Sequence, residues 1–265
     1  MSNFKKKIKK YYEFFYTKIK LFFTEKRFFY KGVRLKYLLN INKKSDNLIV
    51  AFSACTRNGV KARYNYVKTL GKIKDNKIFI LDDFASDKRG CYYLGQYPDY
   101  LVEKATEELI KKIILATNSK KVIFCGSSKG GWAALNFGFY NYGVDNYIIC
   151  GAPQFHLGEY IKYFNATFSY LKNGKPDCEV IEELNDHLKN NIIRCDKRPN
   201  GLFIQYSDNE HTYTEHIKDL LDLFNAQNID YAEDKEHYVD HWDVAFYFPK
   251  FLVDNINRII GYEES

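Results

Sequence analysis

Five short, largely apolar runs rich in β-branched residues recur along this chain, at Leu48–Phe52, Lys77–Leu81, Val122–Cys125, Tyr147–Cys150 and Gly201–Tyr206. Between and after them apolar residues recur at helical spacing, over Ala62–Leu70, Tyr100–Ala116, Gly131–Tyr140, Thr214–Ala226 and Val244–Ile260. Continuous apolar runs suit strands buried on both faces, and an intervening helix gives each connection the length that a parallel crossover needs. The alternation predicts an α/β fold: a doubly wound, mostly parallel sheet with helices on both faces. Residues 154–198 break the rhythm with two helix-like pieces, Gly158–Leu171 and Glu179–Lys189, and no strand between them. An insertion of that kind after a strand end is suited to a helical lid.

Charge divides the chain. The net +7 of its 265 residues is unevenly spread, because residues 1–46 hold fourteen Lys and Arg against Glu13, Glu25 and Asp46. That segment is +11 and the remainder −4, a sign that argues against a nucleic-acid-binding body. Within it, Phe4, Ile8, Tyr11, Phe15, Ile19 and Phe22 fall on one stripe of a basic amphipathic helix over residues 4–24. Lysines interrupt its apolar residues, so it does not read as a secretory signal, and a cytoplasmic protein is expected. The stripe suits either an anionic inner leaflet, which would make the protein peripheral on the membrane, or packing on protein. Two units follow: residues 1–46 as a basic amphipathic segment, and 47–265 as one domain with 154–198 as its lid. The six cysteines are dispersed and form no C-x-x-C pair, so free thiols are expected, with neither a metal nor another cofactor.

One motif carries chemistry. Val122-Ile123-Phe124-Cys125 runs into Gly126-Ser127-Ser128-Lys129-Gly130, a G-x-S-x-G that leads into a helical pattern. A strand-to-helix turn this sharp leaves no room for side chains two residues before or after the central serine. Ser128 would then project above the carboxyl ends of the strands, at the positive end of the following helix. A phosphate loop is the competing use of Gly, Ser and Lys after a strand, but G-x-x-x-x-G-K-[ST] is absent.

With that elbow the chain resembles the α/β-hydrolase superfamily over roughly residues 47–260. The resemblance implies an acid after a later strand and a histidine last. The strand Gly201–Tyr206 runs into Ser207-Asp208-Asn209-Glu210, which makes Glu210 the acid candidate and Asp208 its alternative. A last strand over Ile229–Lys235 is followed by His237 and by His241, the latter just before the final helix. His241 is the base candidate and His237 the alternative, while His156, His187, His211 and His216 read as surface or lid residues. The oxyanion hole implied by the fold takes the N–H of Lys129 and one from the loop after the first strand, Ala54 or Cys55.

Further patches are similar to a bacterial group tied to surface glycans: Phe52-Ser53, Lys61-Ala62-Arg63-Tyr64-Asn65-Tyr66, Leu81-Asp82-Asp83-Phe84, Arg89-Gly90 and Tyr92-Tyr93-Leu94-Gly95. That group includes the glycan O-acetyltransferase-like component of the accessory Sec system and hydrolase-like proteins of capsule loci. The resemblance implies a serine acyl hydrolase or O-acyltransferase working on a small-molecule or glycan acyl ester through acyl-Ser128. The competing expectation is a non-catalytic hydrolase-fold component of a membrane-associated polysaccharide or secretion assembly.

Overall fold

The computed structural model describes residues 24–261. The helix expected over residues 4–24 lies outside this range apart from its last residue. The described residues build an eight-stranded sheet in the order β1-β2-β4-β3-β5-β6-β7-β8. Its strands are β1 (Lys26–Tyr30), β2 (Val33–Asn40), β3 (Asn47–Phe52), β4 (Asn76–Leu81), β5 (Lys121–Ser127), β6 (Asp145–Gly151), β7 (Gly201–Ser207) and β8 (Ala232–Glu236). From β4 to β8 every neighbouring pair is parallel; only β1–β2 and β2–β4 are antiparallel.

Side-chain alternation divides the central strands between two cores. Leu48, Val50, Phe52, Val122, Phe124, Ile148, Leu202 and Ile204 face one layer. Ile49, Ala51, Phe79, Ile123, Cys125 and Ile149 face the other. The first layer contains α1 (Leu101–Thr117), α2 (Lys129–Gly138), α3 (Leu157–Ile161), α4 (Asn165–Lys172), α5 (Asp177–Arg194) and α6 (Lys218–Ala226). The second is built on α7 (Val244–Ile260), whose Val244, Phe248, Leu252, Ile256 and Ile259 pack at spacings of three and four. This is the α/β-hydrolase arrangement.

Three expectations change. Residues 26–40 are part of the sheet, so the body extends into the segment assigned to the basic leader. Tyr30 pairs with Val33 across a two-residue turn, Lys31-Gly32, in which both residues have positive φ, the geometry that matches strand twist. Ala62–Leu70 is not a helix: it is irregular chain ending in a short 3-10 turn at Thr69–Lys72. Its aromatics act as anchors instead, Tyr64 donating to Glu25 Oε2 at 3.0 Å and Tyr66 bonded to Ser127 Oγ. The insertion contains three helices, and the longest, α5, buries Val180, Leu184, Leu188 and Ile192 in the first core. That helix is a wall of the domain.

The chain passes from β3 to β4 on one side, then to β5 on the other, so β3 and β5 flank the point where strand order reverses. Open α/β sheets bind ligands at the carboxyl ends of strands beside such a point. The loop after β3 and the turn after β5 both open there.

Candidate active site

The turn after β5 is tight enough to exclude any side chain at its two flanking glycines. A Cβ on Gly126 would stand 2.4 Å from the carbonyl oxygen of Gly130, and one on Gly130 would stand 2.8 Å from that of Phe52. Between them Ser128 has φ 51° and ψ −123°, a conformation that costs a residue with a side chain on the order of 1–3 kcal/mol. Surrounding bonds hold it: Ser128 N–H donates to Gly151 O at 2.8 Å, and Trp132 N–H donates to Ser128 O at 2.9 Å. Ser128 also begins α2, so the partial positive charge of that helix end lies next to its hydroxyl.

The structure brings Ser128, His241 and Glu210 together. His241 Nε2 lies 2.9 Å from Ser128 Oγ, and its Nδ1 lies 2.7 Å from Glu210 Oε2. A carboxylate only accepts, so Nδ1 carries the proton and Nε2 is free to accept from the serine hydroxyl. The Glu210 side chain is fully buried and its other oxygen, Oε1, has no partner among the described residues. The two alternatives from the sequence, Asp208 and His237, are paired with each other at 2.8 Å at the surface. They work as a fastening: with Asn209 Nδ2 donating to His237 O at 3.1 Å and Ser207 Oγ to Tyr238 O, they join the acid loop to the base loop.

Of the expected oxyanion donors, the Ala54 N–H is already engaged by Asn65 Oδ1 at 3.0 Å. Cys55 remains the candidate on that loop, with Lys129 the candidate on the elbow. The Lys129 side chain turns inward and is buried with Asp82, Nζ standing 3.0 Å from Oδ2. Nζ also donates to Arg89 O at 2.7 Å, and the Asp82 carboxylate accepts from the N–H groups of Cys91 at 2.9 Å and Tyr93 at 3.2 Å. A buried ion pair is tolerated when its remaining hydrogen-bonding capacity is filled, as it is here; losing one partner costs about 3–5 kcal/mol.

Sequence reasoning did not identify Gln154, which is buried and donates through Nε2 to Ser128 Oγ at 3.3 Å. Its position just past the end of β6 was the only signal available. His187, within the insertion, is largely buried, and His216, outside it, is buried; for His216 this departs from the surface or lid assignment. His187 sits 2.8 Å from Glu103 Oε1 between helices, and His216 is 2% exposed.

A cleft of about 470 Å³ opens over Ser128 and His241, bounded by Cys55, Arg57, Arg63 and Trp242. Arg57 stacks on the Trp242 ring with its guanidinium 5.3 Å from the centroid. Among the described residues no acidic side chain lines this cleft.

Solved structures with this fold include enzymes of acyl transfer and ester hydrolysis. The capsule O-acetyltransferase of Neisseria meningitidis serogroup A is 25% identical, with TM-score 0.72, over 88% of this chain and 93% of that one. A mutant of the same protein in complex with CoA is 24% identical, with TM-score 0.73, over 88% and 94%. The glycosylation-associated Gap123 complex of Streptococcus agalactiae is 17% identical, with TM-score 0.73; the match spans 91% of this chain and 48% of that one. The fluorophosphonate-binding serine hydrolase F of Staphylococcus aureus is 12% identical, with TM-score 0.59, over 88% and 97%. No protein-family model matches the chain, and no curated protein matches it. Among the described residues no helix is long and apolar enough to cross a membrane.

Proposed function

We propose that this chain is a serine acyltransferase that carries an acyl group on Ser128 and passes it to a hydroxyl of a surface glycan or its precursor. The observation that carries the reading is the unbroken path Ser128 Oγ, His241 Nε2, His241 Nδ1, Glu210 Oε2, with contacts of 2.9 and 2.7 Å. In the first half-reaction Oγ attacks the acyl carbonyl carbon while its proton moves to His241 Nε2. The tetrahedral oxyanion is held by the N–H groups of Lys129 and Cys55. Its collapse breaks the bond to the leaving group, which takes the proton from Nε2. In the second half the acceptor hydroxyl gives its proton to Nε2 and attacks the acyl-serine. Oγ then recovers that proton as it leaves, and Glu210 steadies the transient imidazolium in both halves.

Transfer is preferred over simple hydrolysis because the capsule O-acetyltransferase gives the stronger structural match, and a mutant of that protein binds CoA. Arg57 and Arg63, in a cleft that no acid lines among the described residues, fit an anionic acyl carrier such as acyl-CoA. A fluorophosphonate probe tests the nucleophile. The wild type should be labelled and Ser128→Ala should not; equal labelling of the two rejects the reading. Absence of labelling in both favours a non-catalytic component, a second reading supported by the likeness to a chain of the Streptococcus agalactiae complex.

A further inference from the structure

The reaction above occupies one cleft, and a second lies beneath the insertion. It measures about 520 Å³, and its walls include Tyr160, Tyr163, Phe164, Glu159, Glu215 and His216. Three features place it near the reacting groups. His211, also in its wall, has its ring 6.2 Å from that of His241. Gln154, which donates to Ser128 Oγ, lies two residues before His156, another wall residue. Phe164 also bounds a narrow gap that Cys55 of the first cleft and Lys129 line as well, so the two clefts share a wall there.

The two clefts differ in charge. Among the described residues the first is lined by Arg57 and Arg63 and no acid; the second is lined by Glu159 and Glu215 and neither Lys nor Arg. Glu159 is paired with Lys162, Glu215 with His211 and His156 with Asp219, so among the described residues the lining holds no unpaired cation for an anion. Three aromatic side chains offer flat faces to the apolar C–H surface of a ring. His216 supplies the polar group. Its Nδ1 accepts from the His156 N–H at 3.3 Å, so its proton is on Nε2, which is buried with no partner among the described residues. Burial, reinforced by the neighbouring His156, His211 and His241, pushes its pKa down to about 3, and the ring stays neutral.

We propose that this second cleft binds the acyl acceptor, an uncharged sugar, with the His216 Nε2–H as donor to one of its oxygens. The proposal rests on the serine acyl-transfer reading. The bound hydroxyl attacks the acyl-Ser128 carbonyl carbon, its proton passes to His241 Nε2, the carbon–Oγ bond breaks, and Oγ takes the proton back. The products are a sugar ester and free enzyme, with no further reactant.

The test uses the full chain acetylated by p-nitrophenyl acetate, followed by the p-nitrophenolate burst and intact mass. Loss of the acetyl group is then timed in water alone, with methyl glycosides of glucose, galactose, mannose and N-acetylglucosamine, and with glucuronate and glucose 6-phosphate. At least one neutral glycoside should accelerate the loss saturably, and the anionic sugars should not. His216→Phe keeps a flat ring and removes the donor, and its burst amplitude is read alongside to report how much folded, acylatable protein is present. Its half-saturating glycoside concentration should rise about tenfold, the value of one hydrogen bond. His216→Gln, whose amide restores a donor, should recover most of that. Tyr163→Ala changes a side chain that is 78% exposed, so the fold tolerates it, and it should raise the same concentration severalfold. Acceleration by anionic sugars equal to that by neutral ones, no acceleration by any glycoside, or unchanged half-saturation in both His216→Phe and Tyr163→Ala overturns the acceptor cleft. Absence of a burst in wild type overturns the serine reading instead.

Discussion

At the level of single residues, the chain contains two acid–histidine pairs within one pair of loops, and only one of them reaches the serine. Glu210 with His241 is buried and touches Ser128; Asp208 with His237 faces solvent. Glu210→Gln should therefore lower kcat by roughly 10³–10⁴-fold, because a neutral amide neither fixes the tautomer nor balances the imidazolium. His237→Gln should stay within about threefold, since it loosens a surface fastening. Steady-state ester hydrolysis by both variants checks the contrast, and comparable losses would mean the pairs have been assigned the wrong roles. Ser128 could be read from five consecutive residues, and Glu210 and His241 from their order along the chain. Gln154 and the Lys129–Asp82 pair could not, because their significance comes from partners 26 and 47 positions away that no local pattern connects.

Among the elements, the strands and most helices were legible because burial on both faces and helical spacing each leave a periodic trace. The hairpin β1–β2 was not: it lies at the sheet edge, where Lys26, Arg27 and Arg34 are exposed, and those charges made it read as part of a basic leader. Its turn is Lys-Gly, a weaker signal than Asn-Gly. Ala62–Leu70 misled in the opposite direction, since Ala62, Tyr66 and Leu70 fall at helical spacing while Tyr64 and Tyr66 each anchor the loop separately. A polar seam at the α1–α2–α5 junction gives an element-scale test. Burial raises the Glu103 carboxyl, but the charge and hydrogen bond of His187, with hydrogen bonds from Asn136 and Tyr140, outweigh it and leave the pKa below its ordinary 4.5. Burial likewise opposes charge on His187, yet Glu103 keeps it above 6.5. The Glu103 contribution is present above 4.5 and lost as pH falls through its lowered value. The His187 contribution is full below 6.5 and lost as pH rises through its raised value. The urea midpoint of the wild type should therefore fall between pH 6 and pH 9, and that of His187→Gln should fall less. An equal fall in both would remove the pair from the account.

For the molecule as a whole, the sheet determines where the domain begins. A chain starting at Asn47 lacks β1 and β2, exposes the pairing edge of β4 and loses the buried Leu35 and Leu38. Each leucine is worth roughly 1.5–3 kcal/mol, so Tm should drop by about 10 °C or more, with aggregation through the bare edge. A chain starting at Thr24 keeps both strands and should melt well above the one starting at Asn47; thermal scans of the two truncations decide the boundary. Sheet order also bears on Ser128. The Ser128 N–H is tied to Gly151 at the end of β6, and the Lys129 side chain is tied to Asp82 just past β4; these strands lie on opposite sides of β3 and β5. The elbow is thus guyed from left and right like a mast, with a single peptide unit between the two stays. Sideways shear at either strand end becomes torque on that peptide, which carries the N–H proposed to face the oxyanion. The spacing of four strands is thereby geared to the aim of one hydrogen bond.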